Sequence, residues 1–254
     1  MAPLDRNDLP GQSAALGTIL GVWAHPDDET YLSAGLMAAA ADAGQRVVCV
    51  TATRGEAGSL DHVRWPPSTL AEVRTRELDQ ALELLGVTEH HWLDYPDGAC
   101  ADVPEEEAVG RIARLIDDIR PDSVLTFAPD GMTGHLDHVT VSRWTSLAVA
   151  RAGHQAASLH WATVTADHWA DMEGMFFSMG LSMGGQPAVT PDEDCSILVA
   201  LDERLLARKS AAVRAQVSQT EALTTAVEPE TFAAVLGREM FRPATAATDS
   251  RSVG

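Results

Sequence analysis

The sequence predicts an α/β fold with a mostly parallel sheet, and three observations carry this prediction. Short apolar runs alternate along the chain with longer segments whose apolar residues recur at the helical period of about 3.6 residues. Gly44 and Gly86 follow two of these helical segments, as glycine commonly does at helix C-termini. Strands separated by helices of this length favour βαβ units with right-handed crossovers. The expected architecture is therefore a Rossmann-like three-layer α/β/α sandwich.

The strands are predicted from short apolar runs. The run 47–52, for example, reads VVCVTA. His90, His91 and Trp92 stand at the apparent start of one further strand. In chain order, the complete strands are predicted at 18–24, 47–52, 123–128, 159–165 and 195–201.

The helices are predicted from amphipathic periodicity and from signals at their ends. Thr69, followed three residues later by Glu72, has the pattern of a capping box and predicts a helix start. Pro104 suits the first turn of the next helix. In chain order, the helices are predicted at 29–43, 69–86, 104–120, 137–152 and 202–219.

Length and composition favour a single domain over residues 1–254. The chain has 254 residues, 45% of them hydrophobic, which is enough to bury a substantial core. Segment 167–194 breaks the alternating pattern and is predicted to be an insertion or cap. Its methionines are spaced by 3, 4 and 4 residues, which indicates one buried helix face; a substrate-facing lid stays open as an alternative. Residues 244–254 are small and polar, and a loose tail is expected there.

The acidic composition argues against several classes of partner. A net charge of −19 disfavours nucleic acid and anionic membranes, and favours a neutral or cationic small molecule over a polyanion. Three widely separated cysteines without a CxxC motif fit a reducing cytoplasm. No apolar run reaches the roughly 18–20 residues of a membrane span, and no secretory signal is recognisable. A cytoplasmic protein is expected, and its oligomeric state stays open, a homo-oligomer included.

Two motifs supply the residue types of a metal site. AHPDDE (24–29) follows the first predicted strand, and GHLDH (134–138) follows the third after a loop. Ligands of open parallel sheets collect at the carboxyl ends of the strands, so His25, Asp28 and His138 can converge there. Two imidazoles and one carboxylate hold Zn²⁺ in catalytic sites, with water in the remaining position. The metal lowers the pKa of that water toward about 7 and creates a nucleophile.

Neighbouring residues fit the remaining roles of an amide or ester hydrolase. Asp27 is expected to act as the general base, because adjacent side chains diverge and it cannot easily share the metal with Asp28. His135 is expected to stabilise the oxyanion or to protonate the leaving amine. Asp137 is expected to hold His135 in the correct tautomer and to raise its pKa.

Other interpretations of these motifs stay open. Acidic residues at a helix start commonly cap the helix, and an isolated HxxH pattern is a weak signal. Their joint occurrence after two predicted strands favours the metal site. Two histidines and a carboxylate also hold Fe(II) for oxygen chemistry, although usually in β-barrels. A non-catalytic protein that binds metal or sugar is the third alternative.

AHPDDE, TRGEAGS (53–59) and GHLDH together resemble the LmbE-like, or PIG-L-like, zinc-dependent N-deacetylases. The resemblance covers roughly residues 18–152. It implies a Rossmann-like fold, zinc on His25, Asp28 and His138, and removal of an N-acetyl group from an N-acetylglucosamine-like substrate. A small N-acetylated sugar or glycoconjugate would then be the partner, with another divalent ion such as Fe²⁺ as an alternative to zinc.

The resemblance also implies that Arg54 and Asp97 face the sugar. A structural salt bridge for Arg54 and a Pro-Asp-Gly turn for Asp97 are the alternatives. The chain departs from the family pattern at two positions. Leu136 stands where many members carry proline, which preserves the motif spacing. Thr133 stands where some members carry a tyrosine that helps to stabilise the oxyanion; if that role exists here, another residue takes it or His135 carries more of it.

Overall fold

The computed structural model describes residues 5–153, 157–178, 180 and 183–244, and seven strands within them form one sheet. The strands are β1 (Ile19–Trp23), β2 (Val47–Thr53), β3 (Glu89–Tyr95), β4 (Ser123–Phe127), β5 (Ser158–Ala162), β6 (Ile197–Ala200) and β7 (Arg238–Pro243). Their order across the sheet is β3-β2-β1-β4-β5-β7-β6. The first five strands of this order run parallel, and β7 is antiparallel to both β5 and β6. The prediction of a mostly parallel sheet is confirmed.

Helices cover both faces of the sheet. In the described residues they are α1 (Leu9–Ala15), α2 (Asp28–Leu32), α3 (Ala34–Asp42), α4 (Pro67–Leu85), α5 (Glu105–Ile119), α6 (Leu136–Arg151), α7 (Ala166–Ser178), α8 (Glu203–Ala215), α9 (Val217–Ala226) and α10 (Pro229–Leu236). Helices α1, α3, α4 and α8 pack together, and α5 packs on α6. From β1 the chain adds β2 and β3 on one side of the sheet, and it then returns to add β4 on the other side of β1. Because the direction of strand addition reverses there, right-handed crossovers place the two groups of helices on opposite faces. The three-layer α/β/α sandwich is confirmed.

The central strands are buried along their whole length. Every residue of β1, β2 and β4 is buried, which is why these strands read as continuous apolar runs rather than as an alternating pattern. Trp23 and Phe127, at the ends of β1 and β4, meet edge to face with ring centroids 5.2 Å apart. This aromatic pair closes the core directly beneath the carboxyl edge of the sheet.

The predicted helix 29–43 is two helices, α2 and α3, separated at Ser33. Ser33 has φ −145°, and its hydroxyl donates to the carbonyl oxygen of Glu29. The carboxylate of Glu239 in β7 accepts the backbone N–H groups of Gly35 and Leu36 at the start of α3. These N–H groups would otherwise be buried without partners. A distant strand therefore caps the second helix, which local periodicity could not predict.

The predicted capping box at Thr69 is wrong. Helix α4 begins at Pro67, with Pro66 as its N-cap, and the Thr69 hydroxyl donates to the Pro66 carbonyl oxygen over 3.3 Å. Proline at the first helical position is preorganised for the helix and has no N–H to satisfy. The helix therefore starts earlier than the Thr69 and Glu72 pattern indicates, and it ends at Gly86 as predicted.

The second half of the chain differs most from the prediction. The predicted helix 202–219 ends at Ala215, and α9 begins two residues later because Gln216 leaves the helical conformation with ψ 55°. Strand β7 was not predicted, since its sequence REMFRP is rich in charge. Helices α1 and α10 were not predicted either.

The Met-rich segment contains helix α7. Trp169 and Phe176 are buried together with Val164, and Met172 packs against this cluster. These contacts agree with a buried helix face, whereas Met183, with 68% of its surface exposed, lies outside it. Met179 lies outside the described residues. The role of the segment as an insertion or cap stays a prediction.

The predicted tail, 244–254, lies outside the described residues apart from Ala244. The N–H group of Ala244 donates to the carbonyl oxygen of Leu159 in β5. Among the described residues, no helix combines the length and the apolar character that crossing a bilayer requires.

Candidate metal centre

Both motifs lie at the carboxyl edge of the sheet, where the strand order reverses. β1 and β4 are neighbours, and open α/β sheets bind ligands in the crevice beyond the carboxyl ends of such strands. His25 follows β1, Asp28 begins α2, and His138 lies in the first turn of α6 after β4. All three residues are buried, with at most 8% of their surface exposed.

The donor atoms of these three residues form a compact triangle. Nδ1 of His25 lies 3.2 Å from Nε2 of His138, which lies 3.3 Å from Oδ1 of Asp28. The third side, from Nδ1 of His25 to the Asp28 carboxylate, is 3.7 Å and ends on the other carboxylate oxygen, Oδ2. Tetrahedral zinc with bonds of about 2.0–2.1 Å sets its ligand atoms roughly 3.4 Å apart. The spacing of the two ring nitrogens and the Asp28 carboxylate is close to this value, so the three residues fit a metal ion bound by all of them.

The other ring nitrogen of His25 is held by two carboxylates. Nε2 lies 3.0 Å from Oδ1 of Asp97 and 3.2 Å from Oδ2 of Asp137. Carboxylates in this position orient a ligating imidazole and make it a better donor. With its hydrogen on Nε2, His25 keeps a free lone pair on Nδ1, the atom that faces His138 and Asp28.

His138 has the complementary arrangement. Its Nδ1 lies 3.0 Å from the carbonyl oxygen of Gly131 and 3.3 Å from the hydroxyl of Thr133. A carbonyl oxygen can only accept, so the ring hydrogen is on Nδ1 and the lone pair of Nε2 points into the triangle. The ring stacks on Phe127 with centroids 4.2 Å apart, which fixes its plane.

Asp137 does not hold His135, which corrects the predicted pairing. The Asp137 carboxylate accepts the backbone N–H groups of Gly98 and Cys100, besides its contact with His25. His135 is the N-cap of α6, and its Nδ1 accepts the backbone N–H of Asp137 at 3.1 Å. Burial, followed by the nearby His25 and His138, lowers the pKa of His135, where the prediction was a raised pKa.

His135 nevertheless faces the centre. A ring nitrogen of His135 lies within 4.8 Å of donor atoms of His25 and His138. Because Nδ1 accepts a hydrogen bond, neutral His135 carries its hydrogen on Nε2. The residue is half-buried, so this N–H can reach a bound molecule.

Asp27 is the most exposed acid of the cluster and has a strained backbone. Its φ of 106° lies in the left-handed region, which non-glycine residues rarely adopt. Its backbone N–H donates to Oε2 of the buried Glu29, and 20% of its side chain is exposed. Burial raises the pKa of Asp27 to about 7, although the positive charge of Arg74 lowers it.

Arg74 is a site residue that the sequence prediction missed. Its guanidinium, with 4% of the side chain exposed, lies 3.2 Å from Oδ2 of Asp27. It also donates to the carbonyl oxygens of Pro26 and Gly55. A Cβ on Gly55 would lie 2.2 Å from the guanidinium, so glycine is required in the TRGE segment. This glycine is the sequence feature that indicates a closely packed neighbour, but nothing in the sequence shows that the neighbour is the side chain of Arg74.

Arg54 and Asp97 occupy different environments. The guanidinium of Arg54 pairs with Asp94 at 2.9 Å, contacts the Thr75 hydroxyl and covers the ring of Trp92. These contacts match the structural salt bridge that was the alternative interpretation. Asp97 accepts the N–H of Ala57 besides touching His25. Burial alone would raise the pKa of Asp97, but these hydrogen bonds outweigh it and lower the pKa to about 2.

The fold and the site define a class of protein. A buried donor set of two histidines and one carboxylate, at the carboxyl edge of an α/β sheet, is the ligand set of catalytic zinc sites. The family model described as "PIG-L: GlcNAc-PI de-N-acetylase" matches residues 20–149. The chain belongs to this family, which confirms the LmbE-like and PIG-L-like resemblance.

Two curated relatives support the same membership. A protein from Kineococcus radiotolerans is 37% identical over 180 residues, which cover 60% of this chain and 48% of that protein. A protein from Mycobacterium sp. (strain KMS) is 32% identical over 242 residues, covering 84% of this chain and 77% of that protein. Both are named 1D-myo-inositol 2-acetamido-2-deoxy-alpha-D-glucopyranoside deacetylase. The chain thus spans about half the length of the first relative and about three quarters of the second.

The fold also matches solved structures. The N,N'-diacetylchitobiose deacetylase from Pyrococcus horikoshii superposes with a TM-score of 0.64 at 21% identity, over 93% of this chain and 86% of that one. At this identity the likeness concerns the fold alone.

Proposed function

We propose that this chain is a zinc-dependent N-deacetylase that hydrolyses the acetamide of an N-acetylglucosamine-containing small molecule. The observation that carries the proposal is the triangle of donor atoms from His25, Asp28 and His138, with the Asp27 carboxylate beside it. Membership of the PIG-L family and the deacetylase names of the relatives support the reaction and the type of substrate.

His25, Asp28 and His138 would hold the metal through one nitrogen or carboxylate oxygen each. A metal bound there supplies Lewis acidity, which polarises the amide carbonyl and acidifies water. Zinc is the proposed ion because the spacing of the donors suits its tetrahedral geometry, although Fe²⁺ accepts the same ligand types. Asp97 and Asp137 keep His25 oriented through its Nε2 atom.

Asp27 and His135 transfer protons in the proposed reaction. Asp27 is next to a metal ligand and faces the open side of the site, so it is the base that takes a proton from the attacking water. His135 presents its Nε2–H group to the developing oxyanion, or passes that proton to the leaving amine. Arg74 holds Asp27 and the Pro26 carbonyl in position. Arg54, which is occupied by Asp94 and Thr75, is given no step.

Three free, buried cysteines support a reducing compartment, so we propose a cytoplasmic location. The acidic net charge of −19 supports a neutral small-molecule substrate rather than a nucleic acid.

The test is acetate release from an N-acetylglucosaminyl-inositol after the protein is stripped with a chelator and reloaded with zinc. Turnover is expected only in the reloaded protein, and Asp27→Asn is expected to lower kcat by about 10²–10⁴-fold while retaining zinc. Asp79→Asn is the matched control, because it removes the same charge from an exposed position on α4. Full activity of Asp27→Asn would remove it as the base. Zinc binding without turnover of any N-acetylated sugar would favour the non-catalytic alternative.

A further inference from the structure

Gln216 stands in the break between α8 and α9, and its side chain reaches α2. Only 1% of its surface is exposed. Its backbone is fixed, because its carbonyl oxygen accepts the N–H groups of Gln219 and Thr220 at the start of α9. Helix α2 packs on α8, and the buried Gln216 side chain joins the two. The residue has no role in the hydrolysis proposed above.

The amide of Gln216 makes two hydrogen bonds to side chains of α2. Its Nε2 atom lies 2.9 Å from Oε1 of Glu29 and 3.2 Å from Oγ1 of Thr30. An amide nitrogen carries two hydrogens, so it can donate to both partners at once. Glu29 and Thr30 are both fully buried. The two contacts therefore satisfy polar groups that water does not reach, and the contact with Glu29 spans 187 residues of sequence.

The same two side chains hold the backbone of Asp27. Oε2 of Glu29 accepts the Asp27 N–H group at 3.1 Å. The Thr30 hydroxyl donates to the Asp27 carbonyl oxygen at 2.7 Å, and its own oxygen can still accept from Gln216. The result is a closed ring of hydrogen bonds, made by Gln216, Glu29, Asp27 and Thr30.

The ring acts on the strained part of Asp27. Its φ of 106° costs free energy and persists only where surrounding contacts impose it. The ring bonds the N–H group of Asp27 on one side and its C=O group on the other, whereas Arg74 contacts the carboxylate. These two backbone groups fix the direction in which the side chain leaves the chain. Loosening the ring would therefore move the Asp27 carboxylate relative to the metal ligands without removing any ligand.

We propose that Gln216 is a positioning residue of the deacetylase. By bridging Glu29 and Thr30, its amide keeps the backbone of Asp27 in the conformation that directs the base toward the site. The inference rests on the proposed function, in which Asp27 takes the proton from water. Gln216 acts through these two side chains and is given no step of its own.

The first experiment replaces Gln216 by methionine, which has nearly the same length and shape but donates no hydrogen bond. Acetate release from an N-acetylglucosaminyl-inositol is measured for the zinc-loaded variant and for wild type. We expect kcat to fall by about 10–100-fold while KM changes by less than about 2-fold, because a misplaced base affects the transition state and not substrate binding. Zinc content should stay at about one ion per chain, since the three ligands are unchanged.

A double-mutant cycle separates positioning from a general loss of structure. If Gln216 acts through the Asp27 carboxylate, Gln216→Met should change the residual kcat of Asp27→Asn by less than about 2-fold. A merely structural role would lower kcat by the same factor in both backgrounds. Equal factors would therefore overturn the proposal.

Gln45→Met is the matched control. The Gln45 amide also donates two hydrogen bonds, to the carbonyl oxygens of Ser13 and Gly17. It lies just before β2, at the amino edge of the sheet and away from the metal centre. This variant should lose comparable stability and keep the wild-type kcat.

Thr30→Val is the second variant of the ring. Valine has the shape of threonine but neither accepts from Gln216 nor donates to the Asp27 carbonyl oxygen. It should lower kcat in the same way as Gln216→Met, and it decides the question if that variant does not fold. Wild-type kcat in Thr30→Val would overturn the proposal.

Amide hydrogen exchange tests the ring without reference to activity. In the metal-free protein, the Asp27 N–H group is expected to exchange at least about 10-fold faster in Gln216→Met than in wild type or Gln45→Met, because Glu29 is no longer held. Unchanged exchange, or wild-type kcat in Gln216→Met, would overturn the positioning role and leave the deacetylase intact. No acetate release by zinc-loaded wild type would overturn the deacetylase function, and the positioning role with it.

Discussion

Arg74 donates to the Asp27 carboxylate over 3.2 Å, and it donates at the same time to the carbonyl oxygens of Pro26 and Gly55. One side chain on α4 thus connects the two loops that follow β1 and β2. The backbone of Asp27 has φ 106°, and such conformations persist only where surrounding contacts impose them. We interpret Arg74 as the residue that keeps Asp27 in its strained, active position.

Arg74→Gln is expected to lower kcat/KM by about 10–100-fold with the metal retained, because misplacing the base removes its effect on the chemical step. It should also lower the free energy of unfolding by about 2–4 kcal/mol, since buried carbonyl and carboxylate oxygens lose their donors. Steady-state kinetics, urea unfolding and metal analysis measure the three effects. Arg76→Gln, at an exposed position two residues away, is the control. Wild-type kinetics in Arg74→Gln would refute the positioning role.

Asp137→Asn is expected to weaken zinc binding by about 10–100-fold, because the carboxylate that orients His25 is lost. Competition with a chromophoric chelator measures this affinity. Asp102→Asn makes the same change at an exposed position in the neighbouring loop and should leave the affinity unchanged. An unaltered affinity in Asp137→Asn would mean that Asp97 alone orients the imidazole.

The ion pair of Lys209 and Glu239, at 2.8 Å with both side chains fully buried, should matter more than exposed pairs. Lys209→Met is expected to lower the free energy of unfolding by about 3–5 kcal/mol, because Glu239 is left as a buried charge without its cation. Arg204→Met removes one of two partners from the more exposed Asp42 and should cost at most about 1 kcal/mol. Denaturant titration of the two variants makes the comparison, and similar losses would contradict it.

Acid should destabilise the fold through His168. Burial, followed by Arg238 and Lys209, lowers the pKa of His168 to about 4, and within the described part of the chain its Nδ1 has no hydrogen-bond partner. The unfolded chain, with a histidine pKa of about 6.5, binds more protons between these two values. The contribution of neutral His168 to the free energy of unfolding is therefore fully present above about pH 6.5 and decreases as the pH falls toward 4.

His168→Phe should abolish this component. Between pH 7 and 5, the wild type is expected to lose up to about 2 kcal/mol more unfolding free energy than the variant. Urea unfolding at both pH values measures the difference. His62→Phe, in an exposed loop, should follow the wild type. Parallel losses in wild type and His168→Phe would exclude His168 as the cause.

The sheet was predictable because parallel strands buried on both faces leave an uninterrupted apolar signature, as β2 does with VVCVTAT. Strand β7 lacks this signature because it contains charged residues. One of them, Glu239, pairs with Lys209 and accepts N–H groups at the start of α3. The break at Ser33 depends on the same distant carboxylate. Local periodicity contains no information about such tertiary partners.

The same difference between local sequence patterns and tertiary contacts applies to the candidate site. His25 and Asp28 are close in sequence, and the topology of a parallel sheet brings His138 to them, so the residue pattern predicted their convergence. The contacts of Arg74 and of the Asp137 carboxylate depend on how α4 and the loop after β3 pack. The sequence therefore predicted that the two motifs converge, but it misassigned the partner of Asp137 and missed Arg74.

The most direct test of the central claim is the metal content of purified wild type, Asp27→Asn and His138→Ala after reconstitution with zinc. We predict about one zinc ion per chain in wild type and in Asp27→Asn, and almost none in His138→Ala, because His138 contributes a donor atom to the triangle and Asp27 does not. Wild type without zinc, or His138→Ala with a full complement, would contradict the proposed metal centre.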